Sequence, residues 1–300
     1  MKRVIITGAS GFIGSALAEK LLLNGVRVYG VGRNKKKLDM LKQYGDFIPV
    51  EADFKQYGTL HELIDERGFD MLWHFAWIGT VASASTFNDY SVQNWNIKST
   101  CDVALSAVKL KCDCISFSGS YYQKCSVKFD KHQFNPAAYG AAKKYAAELF
   151  MGIANQNNMS CVNIILPHIS GCSAKSNMAI LFFVKRMLAN EPLNLIKGNN
   201  YDDWVYIDDI IEGIICTTKS KKKFVEYYIG NRELTTFKEK ITYMKSLLAS
   251  ESTLLFDTYT EEYIVDYDQI DIGALYRDTG WETKVSFEES IAKIVDIIND

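Results

Sequence analysis

Val4-Ile5-Ile6-Thr7-Gly8-Ala9-Ser10-Gly11-Phe12-Ile13-Gly14-Ser15 is a β-branched run that gives way to glycines three residues apart. Ala16-Leu17-Ala18-Glu19-Lys20-Leu21-Leu22-Leu23 follows and is rich in helix formers. The stretch reads as strand, tight turn, helix. Gly8 can take backbone angles closed to other residues. Gly11 lets a pyrophosphate approach the backbone, and Gly14 lets helix and strand pack closely. The N–H groups at the helix N-terminus then hold the phosphates. Position between a strand and a helix is what gives the glycine triplet its weight. Gly8, Ser10, Gly11, Phe12, Ile13 and Gly14 are the candidate dinucleotide contacts.

Outward from this turn, strand and helix patterns alternate. Residues 3–7, 26–32, 47–51, 69–76, 113–118 and 160–166 read as strands. Residues 12–24, 35–43, 58–65, 90–109 and 137–155 read as helices. Such alternation implies right-handed crossovers and a parallel sheet. Ligands of open sheets sit at the carboxyl ends of strands, near Gly8, Asp53, Ala76, Ser118 and Leu166 here. After Pro167 the pattern is less regular. Helices are expected near 177–190, within 204–217, from Thr235 or Thr236 to about 249, and at 286–298, with strands near 193–197 and 225–229. Thr235 or Thr236 can cap one helix, and Ser286 with Glu289 forms a capping box for the last. The expected fold class is α/β, a Rossmann-type doubly wound parallel sheet with a smaller mixed C-terminal lobe. Residues 1–166 form the dinucleotide-binding domain, with elements near 204–230 returning to it, and 167–300 form mainly the substrate lobe.

The 300 residues, 48% hydrophobic, suffice to bury a substantial core. A formal net charge of -2 offers no global field for nucleic acid or membrane. The basic run Lys219–Lys223 reads as a solvated loop. Cysteines at 101, 112, 114, 125, 161, 172 and 216 form no Cys-x-x-Cys pair, and no His spacing suggests zinc. Unpatterned cysteines fit free thiols in a reducing cytoplasm. With no leader and no apolar run near the ~20 residues of a membrane span, a soluble cytoplasmic protein is expected.

Tyr139-Gly140-Ala141-Ala142-Lys143 places a tyrosine and a lysine one turn apart on one helix face. There the ammonium is expected to lower the phenol's pKa. A tyrosine tuned this way passes a proton to or from a sugar or alcohol oxygen.

With both signals in hand, the chain resembles an extended short-chain dehydrogenase/reductase. This is the NAD-dependent epimerase/dehydratase family, which acts mainly on nucleotide sugars. The resemblance covers essentially the whole chain. Thr7–Gly14 matches the family's dinucleotide turn. Ala52-Asp53-Phe54 looks like the acidic segment that contacts adenine, although Asp53 also suits the N-cap of the next helix. His74-Phe75-Ala76 looks like the strand end lining the cofactor, and Asn96 opens the matching central helix. Ser118-Gly119-Ser120 resembles the serine-rich end of the fifth strand, with Ser120 at the catalytic Ser/Thr position. The resemblance implies that Lys143 holds the nicotinamide ribose, Tyr139 moves the proton and Ser120 orients the same oxygen. Trp77, Tyr121, Tyr122 and His168 are candidates to line the substrate pocket, and Phe75, Ala76, Ser118 and Leu166 to line the cofactor. Late in the chain, Trp204–Asp209 and Gly280-Trp281 match further family segments.

Two departures bear on substrate. Ile164-Ile165-Leu166-Pro167 lacks the arginine the family often has after its sixth strand. Asp202-Asp203 stands where the family often has Arg-Asp, whose arginine grips the substrate diphosphate. An aspartate repels phosphate, whereas arginine pairs with it bidentately. Lys175, Lys185, Arg186 and Lys197 are the candidate replacements. For the cofactor, Gly32 holds the position where an acid would select NAD, and Arg33-Asn34 follows. Arg33 can pair with a 2′-phosphate, so NADP is expected, with NAD the alternative. The resulting expectation is an NADP(H)-dependent reductase of a 4-keto nucleotide sugar. The alternatives are a 4-epimerase with tightly bound NAD(P), or a non-catalytic cofactor sensor. The resemblance also implies a homodimer through helices 90–109 and 139–155, and a place in surface-polysaccharide synthesis.

Overall fold

The computed structural model describes residues 1–80, 85–125, 138–171, 179–259 and 264–299. Lys175 and Cys172 lie outside the described residues. In chain order the first elements are β1 (Arg3–Thr7), α1 (Phe12–Leu23), β2 (Arg27–Gly32), α2 (Lys35–Asp39) and β3 (Phe47–Glu51). Then come α3 (Leu60–Leu63), β4 (Met71–His74), α4 (Tyr90–Lys109), β5 (Cys114–Ser118), α5 (Ala138–Gln156) and β6 (Ser160–Ile165). After these lie β7 (His168–Ser170), α6 (Ala179–Leu188), β8 (Leu193–Ile196), β9 (Tyr201–Asp202), β10 (Trp204–Tyr206) and α7 (Ile207–Cys216). The chain continues through β11 (Phe224–Tyr228), β12 (Thr235–Thr236), α8 (Phe237–Leu247), β13 (Leu254–Tyr259), α9 (Ala274–Thr279) and α10 (Phe287–Asn299).

Seven strands form one sheet in the order β11-β6-β5-β4-β1-β2-β3. β1 to β6 pair in parallel, with Thr7 opposite His74 at the ends of β1 and β4. The strand order reverses between β1 and β4. Such a switch point opens a crevice outside the carboxyl ends of the two strands. The Gly8–Gly14 turn stands at that point. Val4, Ile5 and Ile6 are all fully buried, as are Leu72 and Trp73, because helices cover both faces of a parallel sheet. One core cluster joins Ile5, Val31, Leu72, Ile115 and Phe117 of the strands to Val103, Ala104 and Ala107 of α4 and Ala146, Ala147 and Phe150 of α5. The small alanines let the helices lie close to the strands and to one another.

The chain divides into two compact units. Among the described residues the first takes 1–123, 138–165 and Ser220–Tyr227, and the second takes 124–125, 166–219 and Tyr228 onward. Ser220–Tyr227 thus groups with the first unit. The second unit has its own core. Ile180, Leu181, Val184 and Met187 form one stripe of α6 and pack with Leu193, Leu195, Ile241, Met244, Ile291 and Ile294. Helix starts follow the sequence closely. Thr236 accepts from Glu239 N while Glu239 accepts from Thr236 N, and Ser286 with Glu289 repeats the arrangement.

Candidate active site

Gly8 has φ +74°, and its N–H donates to Val31 O at 2.9 Å. A Cβ at Gly8 would lie 2.8 Å from Ala76 N, so only glycine lets the turn lie against the chain leaving β4. A Cβ at Gly14 would lie 2.8 Å from Gly8 C and 3.1 Å from Ala9 Cα, closing the space between α1 and β1. Gly11 N donates to Gly8 O at 2.8 Å, and Gly11 then caps α1. The opening N–H groups of α1, on Phe12, Ile13 and Gly14, have no carbonyl partner within the helix. Ser10 packs beside Gly32, where a Cβ would lie 2.9 Å from Ser10 Oγ. This cradle fits the pyrophosphate of a dinucleotide. Arg33 is exposed at the end of β2, and the Asn34 side chain caps α2 by accepting from Lys37 N at 3.1 Å.

His74, 1% exposed, ties the ends of β1 and β4 to α4. Thr100 Oγ1 donates to Asn96 O at 2.9 Å, so its oxygen is left to accept from His74 Nε2–H at 3.1 Å. His74 Nδ1 then accepts from Thr7 Oγ1 at 2.7 Å. The ring is neutral: burial first, and the Lys143 charge second, bring its pKa down to about 3. An unfolded chain takes up a proton near pH 6.5 that the folded chain refuses until about pH 3. The stabilisation is therefore complete above pH 6.5 and is lost as pH falls towards 3. Between pH 7 and 5 the loss is about 2 kcal/mol. Unfolding free energies of wild type and His74→Asn across that range should diverge by this amount; parallel curves would refute the neutral-histidine assignment.

Asn96 is fully buried. Its Oδ1 accepts from Ile78 N at 3.0 Å, and its Nδ2 donates to Ile78 O at 2.8 Å. Both ends of the amide thus hold the segment after β4. Asn96 thereby fixes the backbone at Ile78.

Tyr139 and Lys143 lie on α5, both buried. The Tyr139 hydroxyl hydrogen-bonds with Ser120. Its ring stacks on Phe87 with centroids 4.7 Å apart and meets Tyr122 and Trp77 edge-on. Lys143 Nζ donates to Ser118 O at 2.7 Å and lies 5.8 Å from the Tyr139 ring centroid. The expected lowering of the phenol's pKa is not what the structure produces. Burial pushes Tyr139 well above the ordinary tyrosine range, the Ser120 bond opposes this, and Tyr122 adds to it. Burial likewise pulls Lys143 well below the ordinary lysine range. Desolvation disfavours both charged forms.

Gln123 is the residue that motif reading misses. Its Oε1 accepts from Ser120 N at 2.9 Å, and its Nε2 donates to Lys143 O at 3.0 Å. One amide therefore fixes the serine relative to the Tyr139–Lys143 helix. The sequence shows only a glutamine three residues beyond Ser120, and its burial emerges in the fold. Tyr121 is buried and Tyr122 half-buried, their rings 4.5 Å apart. Asp53 serves as an N-cap, accepting from Lys55 N at 2.8 Å, while Gln56 Oε1 accepts from Asp53 N at 3.0 Å. Phe54, next to it, is buried and packs on Tyr57. Phe75 N donates to Thr7 O at 3.1 Å, holding the chain beside the glycine turn. In the first unit the structure thus brings together the cradle and the Tyr139–Lys143–Ser120 group.

A sequence model of the NAD dependent epimerase/dehydratase family matches residues 4–230. The chain belongs to that family. CDP-abequose synthase of Salmonella typhimurium is 22% identical over 265 residues, 85% of this chain and 83% of that protein. CDP-abequose synthase of Yersinia pseudotuberculosis is 28% identical over 73% of this chain and 74% of its own. The crystal structure of UDP-glucuronic acid 4-epimerase from Bacillus cereus, in complex with UDP-glucuronic acid and NAD, superposes with a TM-score of 0.79. That match is 20% identical and covers 99% of each chain.

Within this epimerase/dehydratase family member, Leu166 and His168 belong to the second unit. His168 Nδ1 lies 2.9 Å from Asp202 Oδ1, and Trp204 Nε1 donates to Asp202 Oδ2 at 2.8 Å. Burial works against charge on His168, but Asp202 and Asp203 outweigh it and raise the pKa. Asp203, fully buried, accepts from Tyr228 OH at 2.7 Å and from Asn231 N at 2.9 Å. The acidic pair that departs from the family pattern is thus held by neutral donors and one histidine. Arg186 is engaged locally with Glu191 and Pro192 O. Among the described residues, no helix is long and apolar enough to cross a membrane.

Proposed function

We propose that this enzyme is an NADP(H)-dependent oxidoreductase that reduces a 4-keto nucleotide sugar. The observation that carries the reading is the buried Tyr139 hydroxyl on Ser120, with Lys143 one turn along the same helix. A bound nicotinamide would supply the hydride. The glycine cradle would hold its pyrophosphate, and Lys143 its ribose. Tyr139, kept protonated by burial, donates its proton to the carbonyl oxygen as that oxygen gains charge. Ser120 donates a hydrogen bond to the same oxygen and orients it. The nucleotide-sugar substrate is supported by relatives named for CDP-abequose and UDP-glucuronic acid. His168, held by Asp202, is the candidate polar contact of the second unit, and Leu166 a candidate wall for the cofactor.

Preference for NADP is supported by Gly32 and the exposed Arg33. Arg33→Ala should weaken NADP binding by about 10-fold or more, the size of a lost charged hydrogen bond, and leave NAD nearly unchanged. Titrations in which wild type binds NAD as tightly as NADP would overturn the preference. A 4-epimerase that recycles a tightly held cofactor is the second reading, favoured by the fold match to an epimerase with NAD bound. Net cofactor oxidation separates the two.

A homodimer through α4 and α5 is part of the proposal. Tyr90, Trp95 and Leu105 on α4 and Tyr145 on α5 are exposed apolar side chains that support it. The described cysteines are free thiols, which supports a cytoplasmic setting. A role in surface-polysaccharide synthesis goes with the substrate class.

A further inference from the structure

We propose that Trp77 is a positioning residue for Lys143, its indole face holding the ammonium in the charged form against the Ser118 carbonyl. Lys143 is 3% exposed, and its Nζ lies 4.0 Å from the centre of the Trp77 ring and 4.9 Å from that of Phe117. Among the described residues, no carboxylate forms an ion pair with it. The titratable groups that face it are His74, which is neutral, and Tyr139, which burial keeps protonated. An ammonium taken out of water without a carboxylate needs another source of negative potential. Aromatic faces supply it, and tryptophan supplies most.

The indole is held in place to do this. Trp77 Nε1 donates to Gln93 Oε1 at 3.0 Å, and Gln93, itself buried, donates through Nε2 to Thr86 O at 2.9 Å. Gln93 Oε1 also accepts from Asn96 Nδ2 at 3.2 Å, which links the clamp to the Asn96–Ile78 bonds. The same indole meets Tyr139 edge-on, at 88° and 6.2 Å between centroids. One ring therefore spaces the lysine and the tyrosine, rather than lining a pocket for substrate alone. The Trp77 face, 4.0 Å from Nζ, offsets part of the desolvation that draws the Lys143 pKa down.

The relevance to turnover rests on the proposed role of Lys143 in the reaction, but the test reads the lysine itself. Lysine labelled with ¹³C at Cε is followed by NMR through a pH titration of the full-length protein, with Lys143→Met assigning the resonance. Trp77→Leu should lower the Lys143 midpoint by about one pH unit, and Trp77→Phe, which keeps a weaker face, by about half as much. The alkaline limb of kcat/KM should move down with it. If Trp77→Leu does not fold, Trp77→Phe decides alone. A midpoint that stays put in the folded variants overturns the inference. Full activity of Tyr139→Phe would instead overturn the catalytic reading and leave the lysine result standing.

Discussion

Replacing Tyr139 with phenylalanine is expected to lower kcat at least ~10²-fold, the usual size of a lost general acid. The substitution removes one oxygen and keeps the ring. Stacking on Phe87 and the edge contacts with Tyr122 and Trp77 do not depend on the hydroxyl. The bond to Ser120 is lost, which costs about 1 kcal/mol, so the protein should still fold. What disappears is the proton. Burial keeps the phenol protonated at neutral pH, which suits donation to a carbonyl oxygen. Steady-state rates alongside a melting curve check both halves. A near-wild-type rate in a folded Tyr139→Phe protein would discard the assignment of the proton donor.

Gly14→Ala is expected to have the next largest effect, on cofactor affinity. The added Cβ would lie 2.8 Å from Gly8 C, and Gly8 O is closer still. These are backbone atoms of the turn, so no side chain can swing away. The helix must lift from the strand, at a cost of about 1–3 kcal/mol. Lifting also moves the N–H groups of Phe12, Ile13 and Gly14 off the phosphate position. Dinucleotide Kd should therefore rise at least ~10-fold. Gly152→Ala is the control. It sits within α5 with nothing within 4 Å of its added Cβ, so binding should be unchanged and stability equal or slightly higher. Equal Kd values for Gly14→Ala and wild type would mean that the cradle does not hold the cofactor.

Features set by local chemistry are legible in the sequence. The glycine turn, the long α4 and α5, and the Thr236 and Ser286 caps depend on residues close in sequence, so spacing alone exposes them. The two-residue strands β9 and β12 have no such signature, because among the described residues they form a two-stranded sheet between segments more than 30 residues apart. The Tyr139–Lys143 spacing predicts a shared face but not where the ammonium points. Its partner, Ser118 O, lies 25 residues away in the chain. The tyrosine's pKa moves opposite to the expectation because proximity on a helix is local, whereas burial is a property of the whole fold. Gln123, and the contact of Trp77 with Lys143, have no sequence signal for the same reason. Asn96 and Asp53 each engage backbone groups, bonds that residue type alone does not specify.

The central claim is net reduction of a keto sugar by NADPH. It is tested most directly by mixing the purified enzyme with NADPH and a 4-keto-6-deoxy nucleotide sugar, then counting NADPH oxidised per sugar converted. The account predicts one NADPH consumed for each reduced sugar formed, with Tyr139→Phe abolishing both. Refusal of the keto sugar, together with conversion of a stable nucleotide sugar to its 4-epimer without loss of NADPH, would contradict it and establish the epimerase reading instead.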